Sequence, residues 1–144
     1  MSNMSSGRYR VFVYGTLMKG ARNEHIMNDA TLVSENARTK EQSFLMLQFN
    51  SSSSPGKQTP GVKHRGQGYV KGEVYEVDDE GLAALDKLEQ NGVRYQREEI
   101  DMQDGSKAWM YILIVDDQPS EQQDRINFEN CVYSWKREEP KLSR

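Results

Sequence analysis

Glu89 is the residue whose position first suggests chemistry in this sequence. It lies four residues after Leu85 and seven after Leu82, so in a helix it projects from the same face as these leucines. Burial of a carboxyl group without a cationic partner raises its pKa, which suits a group that shuttles protons near neutral pH. The pattern equally allows the helix end to fray and Glu89 to be an ordinary surface charge.

A second candidate lies near the start of the chain, in the stretch VFVYGTL. The short apolar run Val11–Val13 is typical of a buried strand, and it stops at Tyr14 and Gly15. The amides of Gly15, Thr16 and Leu17 then lack sheet partners and can present a concave row of donors to a carboxylate or phosphate. Tyr14 and Thr16 add hydroxyl groups beside this turn. The alternative is that Gly15 only turns a corner.

Other residues of catalytic type have simpler interpretations. Cys131 stands among apolar and aromatic residues in NFENCVYSW, which predicts a buried small side chain rather than an activated thiol. His25 and His64 are predicted to be surface or loop residues. They are far apart in sequence, and no His/Cys cluster has metal-ligand spacing, so we predict no metal site.

Two helices are expected in this chain. A short one is predicted near Glu24–Asp29, and a longer one carries Glu89 at its end. Asp78 or Asp79 can cap the longer helix, and the residues 90–92 (Gln-Asn-Gly) end it.

Strands dominate the rest of the chain. Asp104 and Gly105 predict the turn of a hairpin, and the strand that follows, from Ala108 to Val115, is apolar on both alternating faces, which indicates a central position. The earlier predicted strands are Val11–Val13, Thr31–Asn36, Ser43–Phe49 and a segment from Tyr69 to Asp78. This order predicts an α+β fold in which sheet supplies the core.

A long loop is predicted after Asn50, where NSSSSPGKQTPG breaks every regular pattern. Between Asn50 and Gly72 the chain has five basic or histidine side chains and no acid. This segment is either a basic lid over an anionic ligand or a solvated loop. Its basic and histidine residues are Lys57, Lys63, His64, Arg65 and Lys71.

Length and charge restrict the possible functions. The 144 residues suffice for one domain, predicted at 10–135 with flexible ends at 1–9 and 136–144. A net charge of -3 and a pI near 5.5 disfavour nucleic-acid and anionic membrane partners. With no secretion signal, no apolar run of roughly 20 residues and a single cysteine, we expect a cytoplasmic protein. Without heptads, a monomer is the default.

The motifs VFVYGTL, KGEVYEVD and LDKLE, with YQR six residues after the Glu, resemble those of the γ-glutamylcyclotransferase-like proteins, most closely the γ-glutamylamine cyclotransferase and AIG2-like branch. The resemblance extends from Val11 to about Tyr133. It implies a compact mixed β-barrel with short flanking helices and a cavity at its mouth. It also implies that the turn from Tyr14 to Leu17 binds the glutamyl part of a substrate and that Glu89 is the catalytic acid/base, without a cofactor.

The implied reaction releases 5-oxoproline and a free amine from a γ-glutamyl amine or γ-glutamyl-amino acid, by attack of the substrate's own α-amino group. Tyr95 is a further candidate substrate-binding residue, as a donor to the substrate carbonyl, and Arg97 can support the site electrostatically. A Tyr at a strand start is more often packing, and an Arg is more often at the surface. A non-catalytic small-molecule-binding module and a protein-interaction domain remain as alternatives. The leaving amine and the role of residues 50–68 stay open.

Overall fold

The computed structural model describes residues 7–51 and 55–137. Its mixed sheet curls into a half-barrel with one α-helix, as the sequence predicted in outline. The elements in chain order are β1 (Tyr9–Val13), a 3-10 turn (Glu24–Met27), β2 (Thr31–Arg38), β3 (Phe44–Asn50), β4 (Gln58–His64), β5 (Tyr69–Val77), α1 (Asp79–Leu88), β6 (Tyr95–Asp101), β7 (Lys107–Leu113), β8 (Ile126–Glu129) and β9 (Val132–Trp135).

Strand β1 lies in the middle of the larger sheet. The strand order is β6-β7-β1-β5-β9-β8, and β2 also pairs with β5, while β3 and β4 form a separate two-stranded sheet. The pairs β1–β7 and β5–β9 are parallel, and the others are antiparallel. Both neighbours of β1 are therefore strands, and its residues Val11 and Phe12 are almost completely buried. This position explains the unbroken apolar run at the start of the sequence.

The predicted hairpin around Gly105 is confirmed. Strands β6 and β7 pair along their whole length, and Gly105 has a φ of +93°, in the left-handed region that favours glycine. Strand β7 is interior, as predicted from its two apolar faces, although it ends at Leu113 rather than Val115.

The prediction of a long loop after Asn50 is wrong for residues 58–64, which form strand β4. Pro60 lies opposite Gln48 in the β3–β4 pairing. The backbone of Gln48 bonds away from this hairpin: its N–H donates to Gln123 Oε1 at 2.7 Å, and its carbonyl accepts from Ser120 N at 2.9 Å. Pro60 therefore occupies a position where the ladder needs no N–H, so proline does not interrupt the strand.

The prediction that Cys131 is buried is also wrong. Cys131 is exposed in a two-residue turn between β8 and β9, which sequence reasoning missed. Asn130 and Cys131 have φ angles of 53° and 65°, and Glu129 pairs with Val132 across them. Two successive positive φ angles match the right-handed twist of a tight hairpin, so the cysteine serves the turn rather than the core.

Helix α1 begins and ends as predicted. The Asp78 side chain accepts the Gly81 N–H at 2.8 Å, and Gln90 leaves the helix with a φ of 53°. Leu82 and Leu85 face the core. The predicted helix near Glu24–Asp29 is only a four-residue 3-10 turn. In the described ranges there is thus one α-helix instead of the two helices predicted, and that helix is not long or apolar enough to cross a membrane.

The packed body extends slightly beyond the predicted 10–135. Tyr9 begins β1, and its hydroxyl donates to Asp79 Oδ1 at 2.7 Å. At the other end Arg137 lies 3.1 Å from Glu73 Oε2. Of the predicted flexible ends, residues 1–6 and 138–144 lie outside the described residues, as do 52–54 of the predicted loop.

Candidate active site

Glu89 caps the C-terminus of α1 and is held there by the helix itself. Its N–H donates to the Leu85 carbonyl at 2.9 Å, so the helix end does not fray. The side chain is half-buried and lines a pocket. Burial raises the pKa of the Glu89 carboxyl to about 7. Near neutral pH this group can therefore both accept and release a proton.

The turn that follows β1 is the second part of the site. Gly15 and Leu17 are buried, and within residues 7–51 and 55–137 no acceptor is found for the amides of Gly15, Thr16 and Leu17. Asn23 fixes the turn from one side, because its N–H donates to the Thr16 carbonyl at 2.7 Å and its Nδ2 donates to Thr16 Oγ1 at 3.0 Å. Buried amides without acceptors are rare in proteins, so this row of three amides, two of them in buried residues, is a candidate anion-binding surface.

One pocket, called here the inner pocket, brings all the predicted site residues together. Its empty volume is about 360 Å³. The predicted residues that line it are Tyr14, Gly15, Thr16, Leu17, Glu89 and Tyr95. The helix end and the turn after β1 thus meet around one space, although they are more than seventy positions apart in sequence.

The two predicted tyrosines hold the pocket walls. Tyr14 donates its hydroxyl hydrogen to the Tyr111 carbonyl at 2.7 Å, and Tyr95 donates to the Pro60 carbonyl at 3.0 Å. Burial raises the pKa of both phenols well above the usual range, with the nearby Glu89 adding to the effect. Both side chains therefore stay neutral. The predicted donation from Tyr95 to a substrate carbonyl requires its bond to Pro60 to open.

A second pocket, called here the outer pocket, is also lined by Glu89 and has an empty volume of about 650 Å³. Thr16, Thr59, Glu89 and Tyr95 line both pockets. The outer pocket has a mostly polar wall. Its other residues include Arg22, Asn23, Phe49, Asn50, Leu88, Gln90, Arg94, Leu113 and Asp117.

Comparison with known proteins identifies the family of this chain. The family model described as "Gamma-glutamyl cyclotransferase, AIG2-like" matches residues 11–137. The chain belongs to this family. It is 37% identical over 103 residues to a gamma-glutamylcyclotransferase family protein of Citrobacter rodentium, covering 72% of this chain and 80% of that protein. An Escherichia coli K12 relative with the same family name is 36% identical over the same coverage.

Solved structures agree on the fold. An AIG2-like protein from Mus musculus superimposes with a TM-score of 0.61 at 28% identity, covering 73% of this chain and 76% of the mouse chain. Kluyveromyces lactis allophanate hydrolase matches with a TM-score of 0.62 at 16% identity, covering 75% of this chain but 18% of that one. At that identity the likeness concerns the fold alone.

In this cyclotransferase-family chain an ion pair between Arg97 and Asp86 supports the inner pocket through Tyr111, one of its lining residues. Arg97 donates to both carboxylate oxygens of Asp86, at 2.8 and 3.0 Å, and the Tyr111 hydroxyl donates to Asp86 Oδ1 at 2.6 Å. Burial raises the pKa of Asp86, but the hydrogen bonds from Arg97 and Tyr111 outweigh it, so the pKa lies below its usual value. Asp86 therefore stays charged and paired, unlike Glu89 one turn later.

Sequence reasoning missed several residues of the inner pocket. Thr59 and Pro60 come from β4, and the segment TPG carries no strand signal. In the sequence, Tyr111 is one of the alternating apolar residues of β7, which predicts a core position. It lines the pocket because β7 pairs with β1. Across the described part of the chain, no group of three or more His, Cys, Asp or Glu side chains is arranged to hold a metal ion.

Proposed function

We propose that this chain is a γ-glutamyl cyclotransferase that converts γ-glutamyl amines or γ-glutamyl-amino acids to 5-oxoproline and a free amine. One observation carries the proposal. The half-buried Glu89 carboxyl and the unpaired amides of Gly15, Thr16 and Leu17 line the same pocket. Membership of the cyclotransferase family supports it.

The reaction needs proton transfer more than a nucleophile from the protein. The substrate's α-amino nitrogen bonds to its own γ-carbonyl carbon, and the bond from that carbon to the leaving nitrogen breaks. The α-amino group is largely protonated at neutral pH and loses this first proton to solvent before it attacks. As the new C–N bond forms, the nitrogen loses a second proton to the Glu89 carboxylate, and Glu89 as carboxylic acid gives a proton to the departing nitrogen, so no water or other reactant is consumed.

The turn after β1 orients the substrate. The three successive amides of Gly15, Thr16 and Leu17 can hold its α-carboxylate, which places the adjacent α-amino group toward the γ-carbonyl carbon. When the bound substrate is held in the conformation that brings its amino group to its own γ-carbonyl, the effective molarity reaches roughly 10⁵ to 10⁸ M. Positioning of the substrate is therefore expected to supply most of the rate acceleration.

The leaving amine is assigned to the outer pocket. Glu89 lines both pockets, as a residue must if it serves the attacking nitrogen on one side and the leaving nitrogen on the other. The inner pocket then takes the glutamyl part, and the outer pocket takes the group attached to the scissile nitrogen.

The direct test is to incubate the protein with γ-glutamyl-alanine, γ-glutamyl-ε-lysine and γ-glutamyl-ethylamide and to measure 5-oxoproline by chromatography. We expect turnover that falls about 10² to 10⁴-fold in Glu89→Gln, the share typical of one acid/base group. The control is Glu80→Gln, an exposed acid on the same helix. Wild-type protein that binds 5-oxoproline without turnover would instead favour the non-catalytic binding module.

A further inference from the structure

Glu73 is a buried carboxylate that lines neither pocket. Its residue is 1% exposed, and it lies on β5 opposite Val13, the last residue of β1. Its carboxylate accepts the Lys19 N–H at 2.9 Å, the Tyr75 hydroxyl at 3.1 Å and Arg137 Nη2 at 3.1 Å. Burying an ionised carboxylate is costly unless it is paired and hydrogen-bonded, so such a fully bonded acid calls for an explanation.

Arg137 makes the arrangement specific. Besides pairing with Glu73, its Nη1 donates to the Lys19 carbonyl at 2.7 Å. The backbone of Lys19 is therefore held at both polar groups, with its N–H on the carboxylate and its C=O on the guanidinium. We call this arrangement the Lys19 clamp.

The clamp lies two residues beyond the anion-binding turn. The backbone enters the turn from β1, which the sheet fixes, and Asn23 bonds to Thr16. Between these anchors, the Lys19 clamp fixes the segment that leaves Leu17. The turn also closes on itself, because the Met18 N–H donates to the Gly15 carbonyl at 3.1 Å and the Ala21 N–H donates to the Met18 carbonyl at 2.9 Å. The Lys19 clamp is the contact that ties this closed turn to β5 and to Arg137.

We propose that Glu73 and Arg137 are positioning residues for substrate binding: through Lys19 they aim the amides of the turn at the substrate carboxylate. This inference rests on the proposed function. Neither side chain reaches the reacting atoms, so their loss should weaken binding of the carboxylate more than it slows proton transfer by Glu89. A displacement of about 1 Å in such a site can cost up to about 10²-fold in rate.

Arg137 is the residue to substitute, because its side chain is 40% exposed and its removal leaves no cavity in the core. We expect Arg137→Met to raise KM for γ-glutamyl-alanine about tenfold, with kcat within about threefold of wild type and the acid limb of its pH profile unmoved. Arg137→Lys keeps the charge near Glu73 but cannot bracket the peptide with two nitrogens, so it should restore KM in part.

Arg125→Met is the matched control. Arg125 directly precedes β8, lies over the Trp135 ring and donates to the Lys136 carbonyl, and no contact to the turn is found for it among the described residues. A similar rise of KM in this variant, or an unchanged KM in Arg137→Met, would overturn the proposal.

A second measurement does not depend on turnover. Amide hydrogen exchange of Lys19 should become at least about tenfold faster in Arg137→Met, and 5-oxoproline should bind more weakly in an NMR titration. If wild type shows no cyclisation but both effects appear, the Lys19 clamp stands and the proposed function falls. If exchange and binding are both unaffected, the clamp is refuted whatever the activity.

Discussion

A Cβ atom placed on Gly15 would lie 2.4 Å from Cγ of Pro60 and 2.9 Å from its Cδ. The turn after β1 is therefore packed directly against the proline ring of β4. This contact explains why the strand ends on glycine, and it makes the β3–β4 hairpin part of the pocket wall. Gly15 in the turn and Pro60 in β4 must therefore fit each other for the pocket to form.

We predict that Gly15→Ala lowers the melting temperature and raises KM, at a cost of about 1 to 3 kcal/mol in the free energy of unfolding, because the methyl group displaces the ring or the turn. The Cβ of Pro60 lies 3.9 Å from the position that this methyl group would take, an ordinary contact. Pro60→Ala should thus rescue Gly15→Ala. Thermal unfolding of the two single variants and the double variant checks this, and strictly additive losses would contradict it.

Local patterns in the sequence indicated both halves of the candidate site, although each pattern left a simpler alternative open. Helical spacing puts Glu89 on the face of Leu82 and Leu85, and an apolar run that stops at Gly15 indicates a strand end. Pro60 could not be placed, since its tolerance in β4 depends on Gln48 bonding to a distant segment. The formation of β4 therefore depends on long-range pairing rather than on local strand propensity.

The same limit applies to the supporting residues. In the sequence, Glu73 has the pattern of a polar residue in an alternating strand. Only the pairing of β1 with β5 brings it next to the turn after β1. Tyr111 reads as a core aromatic, and only the parallel pairing of β1 with β7 brings it to the pocket. Both pairings join segments that are distant in sequence, which periodicity alone does not specify.

The pH dependence of catalysis should report Glu89. Because the carboxylate is the base, kcat/KM should fall as pH drops below about 7, the pKa to which burial raises this group. Steady-state rates between about pH 5 and 9 at constant ionic strength check the prediction, with the ionisation of the substrate amine, near about 8, measured separately. An acid limb near the ordinary value of 4.5 would contradict it.

The same burial predicts a gain in stability when the charge is removed. The pKa of Glu89 is raised in the folded state, so folding favours the protonated form, and stability falls as pH rises from 4.5 to about 7. We expect Glu89→Gln to match wild type near about pH 4 and to be more stable by about 3 kcal/mol at about pH 8. Urea unfolding at both pH values measures this, and Glu80→Gln should show no such gain.

The pair of Arg97 and Asp86 should contribute measurable stability. Both side chains are about three-quarters buried, at 20% and 27% exposed, and Arg97 also lies over the Trp109 ring at 4.8 Å. Arg97→Met should lower the free energy of unfolding by about 1 to 3 kcal/mol, because it leaves the Asp86 charge with Tyr111 as partner.

Asp86→Asn combined with Arg97→Met provides the control for that loss. The double variant removes the stranded charge, so it should lose less stability than the sum of the two single variants. A coupling free energy near zero in urea unfolding would show that the pair contributes nothing beyond packing.

The charges of the outer pocket should govern which amine leaves. Arg22 and Arg94 both line this pocket, and Asp117 there forms an ion pair with Arg94. Because Asp117 compensates the charge of Arg94, the guanidinium of Arg22 is the group that favours a leaving group with a carboxylate, so γ-glutamyl-alanine should be cyclised faster than γ-glutamyl-ethylamide. In Arg22→Met the ratio of the two kcat/KM values should fall about two- to fivefold, as expected for one partly hydrated charge pair.

The ratio cancels any general loss of activity, and Arg8→Met, which lies outside both pockets, should leave it unchanged. An unaltered ratio in Arg22→Met would mean that the leaving group is recognised by the apolar part of this wall instead.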